Sequence, residues 1–511
     1  MRTELSWTEL LRGAADLRAL LAFRASGLSE RSRRRLRIAG LAVLLVTIAV
    51  IVVPGYLRDP LHNRRLGNFV AISPTVYLGF VVLAVLAAIS SGGGREVVPR
   101  EQAVAFPVSS VTEHLGALLL APLNIAWLLQ AWTLLGLSSY VAGPHHPELA
   151  ATTVLVWIAF ATALGQLVGW VFEGIRRGPY GIWLARGISG ACGLGLGTLV
   201  VTDRLTDVLD HSPTTDVFIV MLHGASARIA PWLTGTAILL GLMVLTVVAG
   251  LVPARWALNR PQREELRLES GIRAARPNPA SDLLAMVRLD RASVWRSVPL
   301  RRGLFVLGLL PGGVALAGDL TWDLVTVLPG LVASGGALLF GVNAWCLDGR
   351  GALWRDSLPA SPRVAFAAKT LVLLEVLLVP ALITLVLAAL RAGTPNAAEL
   401  ASVLAATLVV CVQVTTTSLT WSVRRPFAAE LRSARATPAP PVVMVGYSAR
   451  LAMTTTLVGL LFSATALAGN ALPAVLLAVP LLLWSGYRLA GTAAAWATPA
   501  TRARVVAVVA T

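Results

Sequence analysis

The sequence predicts an all-α, polytopic membrane protein with about twelve transmembrane helices in two parallel six-helix repeats. Three observations carry this expectation. Of the 511 residues, 56% are hydrophobic and only 14% charged, with mean hydropathy +0.73; a soluble globular chain is about 45–50% apolar and about 25% charged. Apolar runs of about 20 residues, enough to cross about 30 Å of hydrocarbon, recur through both halves. The 43 Lys and Arg outnumber the 26 Asp and Glu, giving net charge +17, and the basic residues gather between alternate runs. The same composition excludes disorder and collagen-like repetition.

In the first half the runs cover residues 38–57, 69–90, 115–138, 150–172, 181–201 and 230–251. In the second they cover 304–318, 324–346, 366–390, 400–421, 443–468 and 471–490. The organisation expected is a cytoplasmic amphipathic helix and basic segment (1–37), a six-span half (38–252), a cytoplasmic linker (253–302), a second six-span half (303–491) and a cytoplasmic tail (492–511). Only Arg58, Arg64, Arg65, Arg204, Arg228 and Arg391 fall in alternate loops, and Arg186, Lys369 and Arg450 fall within runs. All other basic residues lie on one side. Positive charge stays cytoplasmic, so both termini are expected in the cytoplasm of a multi-pass protein of the cell membrane. The nucleic-acid class is excluded, because the arginines sit where topology needs them.

Short motifs recur in the same order in both halves. Arg24-Ala25-Ser26 pairs with Arg291-Ala292-Ser293, and Phe106-Pro107-Val108-Ser109 with Leu358-Pro359-Ala360-Ser361. Arg176-Arg177 pairs with Arg424-Arg425, Gln166 with Gln413, and Tyr180 and Arg186 with Tyr447 and Arg450. Both halves have the same predicted orientation, so the repeat is parallel.

The N-terminal segment reads as an interfacial helix. Ser6 and Glu9 form a capping-box pattern. Trp7, Leu10, Leu11, Ala14, Leu17 and Leu21 share a face opposite Glu9, Arg12 and Asp16. Its polar, arginine-rich character is unlike a cleavable signal peptide. The linker carries a weaker helical pattern over 281–295.

The loops before the third and ninth runs are the most informative. One contains Arg95-Glu96-Val97-Val98-Pro99-Arg100-Glu101 and then Phe106-Pro107-Val108-Ser109. The other reads Trp354-Arg355-Asp356-Ser357-Leu358-Pro359-Ala360-Ser361-Pro362-Arg363. Each sets charge, an apolar residue and proline before small hydroxylated residues, which suits a short cytoplasmic element offering charge and an apolar knob to a partner. Here the chain resembles the membrane subunits of ABC exporters of the second type. Those permeases have six spans, an N-terminal amphipathic helix and a short cytoplasmic helix between the second and third spans that docks on an ATPase. The resemblance implies two fused permeases and an unidentified exported substrate. It also implies separate ABC ATPase subunits, two copies, which would hold ATP and Mg. Glu96, Arg100, Glu101, Phe106, Pro107, Arg355, Asp356, Leu358 and Pro359 would form the contact with the ATPase.

The chain's own chemistry is sparse. Its single lysine, Lys369, follows Ala368, so no phosphate-binding loop of the G-x-x-x-x-G-K-[ST] form exists in the sequence. No cofactor or catalytic residue is expected in this chain, and ATP hydrolysis belongs to a partner. Gly187, Gly190, Gly193 and Gly197 are expected to let helices pack closely. Glu375 lies inside a run, a costly position. With Gln166 and Gln413 it is a candidate for a substrate path, or for pairing between helices through Arg450 or Gln413. Cys192, Cys346 and Cys411 are expected to be buried thiols, and neither they nor His145, His146 and His211 have metal-site spacing. Two alternatives stay open. An ion-coupled secondary transporter would be expected to carry more mid-membrane charge. A membrane-embedded enzyme or scaffold is the other, and an enzyme would be expected to cluster His, Asp or Glu near one face.

Overall fold

The computed structural model describes residues 7–26, 30–57, 63–90, 108–123, 125–202, 204, 207–208, 211–260, 277–317, 320–339, 341–428, 439 and 441–510. Among these, the regular elements are helices, with no strand. The chain forms two compact units, Met1–Glu269 and Ser270–Thr511, which part within the expected linker.

The first unit contains α1 (Trp7–Ser26), α2 (Glu30–Tyr56), α3 (Asn63–Ser90), α4 (Ser110–Leu120), α5 (Ile125–Ala142), α6 (Pro147–Arg176), α7 (Gly181–Val201), α8 (Thr214–Ala225) and α9 (Ile229–Leu258). The amphipathic α1 lies along α4. Leu17 is buried among Leu20, Leu21, Leu115 and Leu120, and a Cβ at Gly13 would stand 2.6 Å from Val111 Cγ1. Leu11 and Phe23 face outward, so the covered stripe is narrower than the apolar face read from sequence. Ser6 lies outside the described residues, and Glu9 pairs with Arg255 of α9.

The centre of this unit is α6. Pro147 opens it, a position where a missing N–H costs nothing, and it packs against α3, α5, α8 and α9. It meets α3 through two glycines one turn apart. A Cβ at Gly165 would lie 2.8 Å from the Ala84 carbonyl carbon, and one at Gly169 would lie 2.8 Å from Ala88 Cβ. This is the close backbone approach of a small-xxx-small contact. Gly165→Val is therefore expected to destabilise the unit by about 1–3 kcal/mol through overpacking, read as a lower melting midpoint in detergent.

The glycines of α7 behave otherwise. A Cβ at Gly187, Gly190, Gly193 or Gly197 would meet nothing within 4 Å, and Cys192 beside them is exposed. The expected close packing is not realised among the described residues, because α7 leans mainly on α6 and turns its small face away. Cys346 and Cys411 are buried as expected.

The second unit contains α10 (Asp282–Arg296), α11 (Val298–Ala317), α12 (Trp322–Val325), α13 (Leu328–Leu339), α14 (Gly351–Asp356), α15 (Pro362–Ala389), α16 (Ala397–Arg424), α17 (Pro441–Ala466), α18 (Leu472–Ala497) and α19 (Pro499–Ala510). Helix α10 is the linker helix expected over 281–295; the Ser281 hydroxyl caps it, accepting from Leu284 N at 3.3 Å. Asn396 and Glu399 close a reciprocal capping box on α16. Helix α15 packs against α10, α11, α13, α16 and α18, and α16 against α13, α17 and α18. Their shared core centres on Leu373, Val376, Leu377, Val410 and Val414.

Eight helical segments among the described residues are long and apolar enough to cross a membrane: Phe69–Ile89, Pro147–Arg176, Ile229–Leu258, Trp322–Leu339, Pro362–Ala389, Ala397–Arg424, Gly446–Ala466 and Leu472–Ala497. They match the second, fourth, sixth and eighth to twelfth runs of the sequence and support a multi-pass membrane protein. The other four runs differ for local reasons. The first and seventh keep only Gly40–Tyr56 and Gly303–Leu316 as apolar helix, after arginine-rich starts. The third divides at the 3-10 turn Ala121–Leu123, where Pro122 cannot donate to the helical ladder. The fifth is the glycine-rich α7, outside the set of eight. Helix α9 buries one side and leaves Leu233, Ile238, Leu242 and Leu245 uncovered, an apolar surface that water would not tolerate but lipid does.

Candidate functional site

The densest polar construction in the second unit lies where α10, α14 and α15 meet. Asp290 comes from α10, Asp348 precedes α14, Arg355 sits on α14 and Lys369 is in the second turn of α15. Arg355 grips Asp290 with both arms of its guanidinium, Nη1 to Oδ1 at 2.7 Å and Nη2 to Oδ2 at 2.9 Å. It reaches Asp348 at 3.1 Å. Lys369 Nζ donates to Asp290 Oδ1 at 2.7 Å and lies 3.1 Å from Asp348 Oδ2. The side chains are 1% (Asp290), 4% (Asp348), 8% (Arg355) and 7% (Lys369) exposed. Two cations thus neutralise two anions out of water, with the bidentate geometry that makes such bonds strong. Burial alone would raise the Asp290 carboxyl, but Lys369 and Arg355 hold it below the usual carboxylate value. Burial alone would lower the Arg355 guanidinium, but Asp348 and Asp290 raise it. Both groups therefore stay charged at neutral pH.

This network fixes one side of α14 and leaves the other side free. Ala352 and Arg355 turn inward, while Leu353 and Trp354 stand 59% exposed. Asp356 is bound from the C-terminal end of the chain by Arg502 Nε of α19, at 2.8 Å. Helix α19 is itself anchored. Arg504 Nη2 donates to Val423 O at 2.9 Å, and just before the helix Trp496, at the end of α18, stacks on Trp345 with ring centroids 4.5 Å apart. A cavity of about 160 Å³ lies between α14 and α19, lined in part by Met286, Arg355 and Val506. The segment 492–511, expected as a tail, is thus mostly helix, and α19 clasps α14.

Four of the residues expected to meet a partner fall on this construction. Arg355 is buried and engaged within the chain, Asp356 is tied to α19, Leu358 is partly buried against the core, and Pro359 is exposed. Glu96, Arg100, Glu101, Phe106 and Pro107 lie outside the described residues. Glu375 pairs with Arg291 of α10 at 2.7 Å, not with Arg450 or Gln413. Gln166 is buried in α6. Gln413 has its Oε1 buried with no hydrogen-bond partner among the described residues. The Arg176-Arg177 and Arg424-Arg425 pairs play different parts. Arg176 and Arg177 clamp Glu173 at 2.6 and 2.8 Å, whereas Arg425 lies over the Trp421 ring, 5.0 Å from its centroid.

Asp290, Asp348, Leu353 and Trp354 were not singled out by sequence. Lys369 stands out in the sequence as the single lysine and as a charge in an apolar run, and the second was the available signal for this site: a charge there requires a counter-charge. Compared with family models, with curated proteins and with solved structures, the chain has no match.

Proposed function

We propose that the chain is the transmembrane permease of an ATP-driven exporter, with two six-span halves fused in one chain and ATP hydrolysis in separate ATPase subunits. The observation that carries the reading is α14. It is a short helix held from behind by a buried four-charge network, and it presents Leu353 and Trp354 outward on the side the arginine distribution assigns to the cytoplasm. Such an element can receive a push and pass it on. Through Asp290 and Lys369 the displacement of α14 reaches both the linker helix α10 and the membrane helix α15.

The helix pairings inside each unit support the repeat. α1 on α4, α2 on α5 and α3 on both α5 and α6 in the first unit correspond to α10 on α15, α11 on α15 and α13 on both α15 and α16 in the second. The pairings α5 with α6, α6 with α9 and α4 with α9 correspond to α15 with α16, α16 with α18 and α15 with α18. Hydroxyl pairs link corresponding helices, Thr153 with Thr236 at 3.2 Å and Thr420 with Thr492 at 2.8 Å. In this reading the loop holding Glu96 to Pro107 is the first unit's coupling element, and the ATPases supply ATP and Mg. Glu375 serves to fasten α10, which leaves Gln166 and Gln413 as the polar candidates for the substrate path.

The test is purification of the full chain in mild detergent. An ATPase should copurify, and its ATP hydrolysis should rise in the complex. A folded chain that transports with no dependence on any ATPase would overturn the proposal.

A further inference from the structure

Three arginines of the second unit converge where no acid among the described residues meets them. Arg424 ends α16, Arg450 lies on α17 and Arg488 on α18; these three helices pack on one another, and Arg488 is within electrostatic reach of both others. Among the described residues no ion pair joins any of the three. Like charges brought together on packed helices repel unless an anion lies between them.

The sequence of α17 and α18 says which environment they face. The two helices form a hairpin turning at Gly469, whose φ of 75° needs glycine. Arg450 lies nineteen residues before that glycine and Arg488 nineteen after it. Each is separated from the turn by the helical stretch 450–466 or 472–488, about 24 Å at 1.5 Å per residue, most of the hydrocarbon thickness of about 30 Å. Outward apolar stripes run down both helices to this level. On α17 the exposed Met453, Leu457 and Leu460 lead to Arg450; on α18 the exposed Leu476, Val479 and Leu483 lead to Tyr487, the residue before Arg488. Just before Arg488, Trp484 and Tyr487 stack on the outside with centroids 6.1 Å apart. Aromatic rings at that level mark the membrane boundary.

We infer that Arg424, Arg450 and Arg488 form a binding site for the phosphate headgroup of an anionic phospholipid on the cytoplasmic leaflet. The acyl chains would lie along the outward stripes of α17 and α18, and Trp484 and Tyr487 would flank the glycerol region. Basic pockets between membrane helices on that side suit anionic headgroups. The inference rests on the spans and on the orientation that the arginine placement gives them, and is independent of the ATPase reading.

The probes are phosphatidylglycerol, phosphatidylcholine and inorganic phosphate, each added to the detergent-purified full chain and read by native mass spectrometry. Phosphatidylglycerol should be retained in preference to phosphatidylcholine, and inorganic phosphate should not displace it. The pair Arg450→Gln with Arg488→Gln should weaken phosphatidylglycerol retention about 30-fold, the effect of two cations at an anionic surface, while Arg391→Gln leaves it unchanged. Equal retention of the two lipids by the unaltered chain would overturn the inference without reference to any variant. So would displacement by inorganic phosphate, or undiminished retention by a double variant that elutes as the parent does.

Discussion

Lys369→Met is expected to lower the stability of the second unit by about 3–5 kcal/mol, read as a fall in melting midpoint, and, on the proposed function, to abolish ATP-driven export. The substitution fits the space and even suits an apolar helix. It fails because it leaves Asp290 and Asp348 buried with only Arg355 between them, and an uncompensated buried carboxylate costs more than the lost contact. Pairing it with Asp290→Leu removes one charge of each sign and leaves Asp348 with Arg355. Apolar replacement of a buried ion pair is often neutral, so the double variant should regain most of the melting midpoint, a non-additivity that measures the coupling directly. Export should not return, since the ionic bridge from α14 through Asp290 to Lys369 of α15 is still missing. Full export by the double variant would make the network a packing device only. An unchanged midpoint in Lys369→Met would mean that the four charges are not joined in solution.

The second large effect concerns the opposite side of α14. Leu353→Glu with Trp354→Glu is expected to leave the melting midpoint nearly unchanged, because both side chains are already exposed and such surface changes are usually within about 0.5 kcal/mol. ATPase copurification should be lost. Exposed tryptophan on a fixed element is the kind of anchor that dominates a protein–protein contact, where truncation costs about 2 kcal/mol or more. A complex that forms and hydrolyses ATP as before would remove α14 from the contact. The two experiments divide the helix: one side transmits and the other receives.

Much of this architecture was legible in the sequence, for identifiable reasons. Hydropathy and arginine placement report the membrane term, which dominates the energetics of such a chain; the eight apolar helices fall on sequence runs for that reason. The linker helix was legible because Ser281 and the apolar spacing after it are local signals. What was not legible depends on three-dimensional neutralisation. The loop before α15 was read as a place where Arg355 offers charge to a partner, yet Arg355 turns inward. Its two counter-ions are seven residues upstream and on a separate helix, and nothing local links them. Glu375 shows the same limit: a charge within an apolar run needs a partner, but only the docking of α10 makes that partner Arg291. The glycines of α7 show the converse, a small-residue pattern that permits close packing without requiring it.

Lys369 has one more consequence. Its ammonium is the sole side-chain amine in the sequence, and it is held under 8% exposure between two carboxylates. Acylating reagents need room to approach the amine, and the closed network denies it. Apart from the chain's α-amino group, amine-selective chemistry therefore has a single address, at the joint between the linker helix and the membrane. The extent of labelling there gives a direct count of how often that joint comes apart.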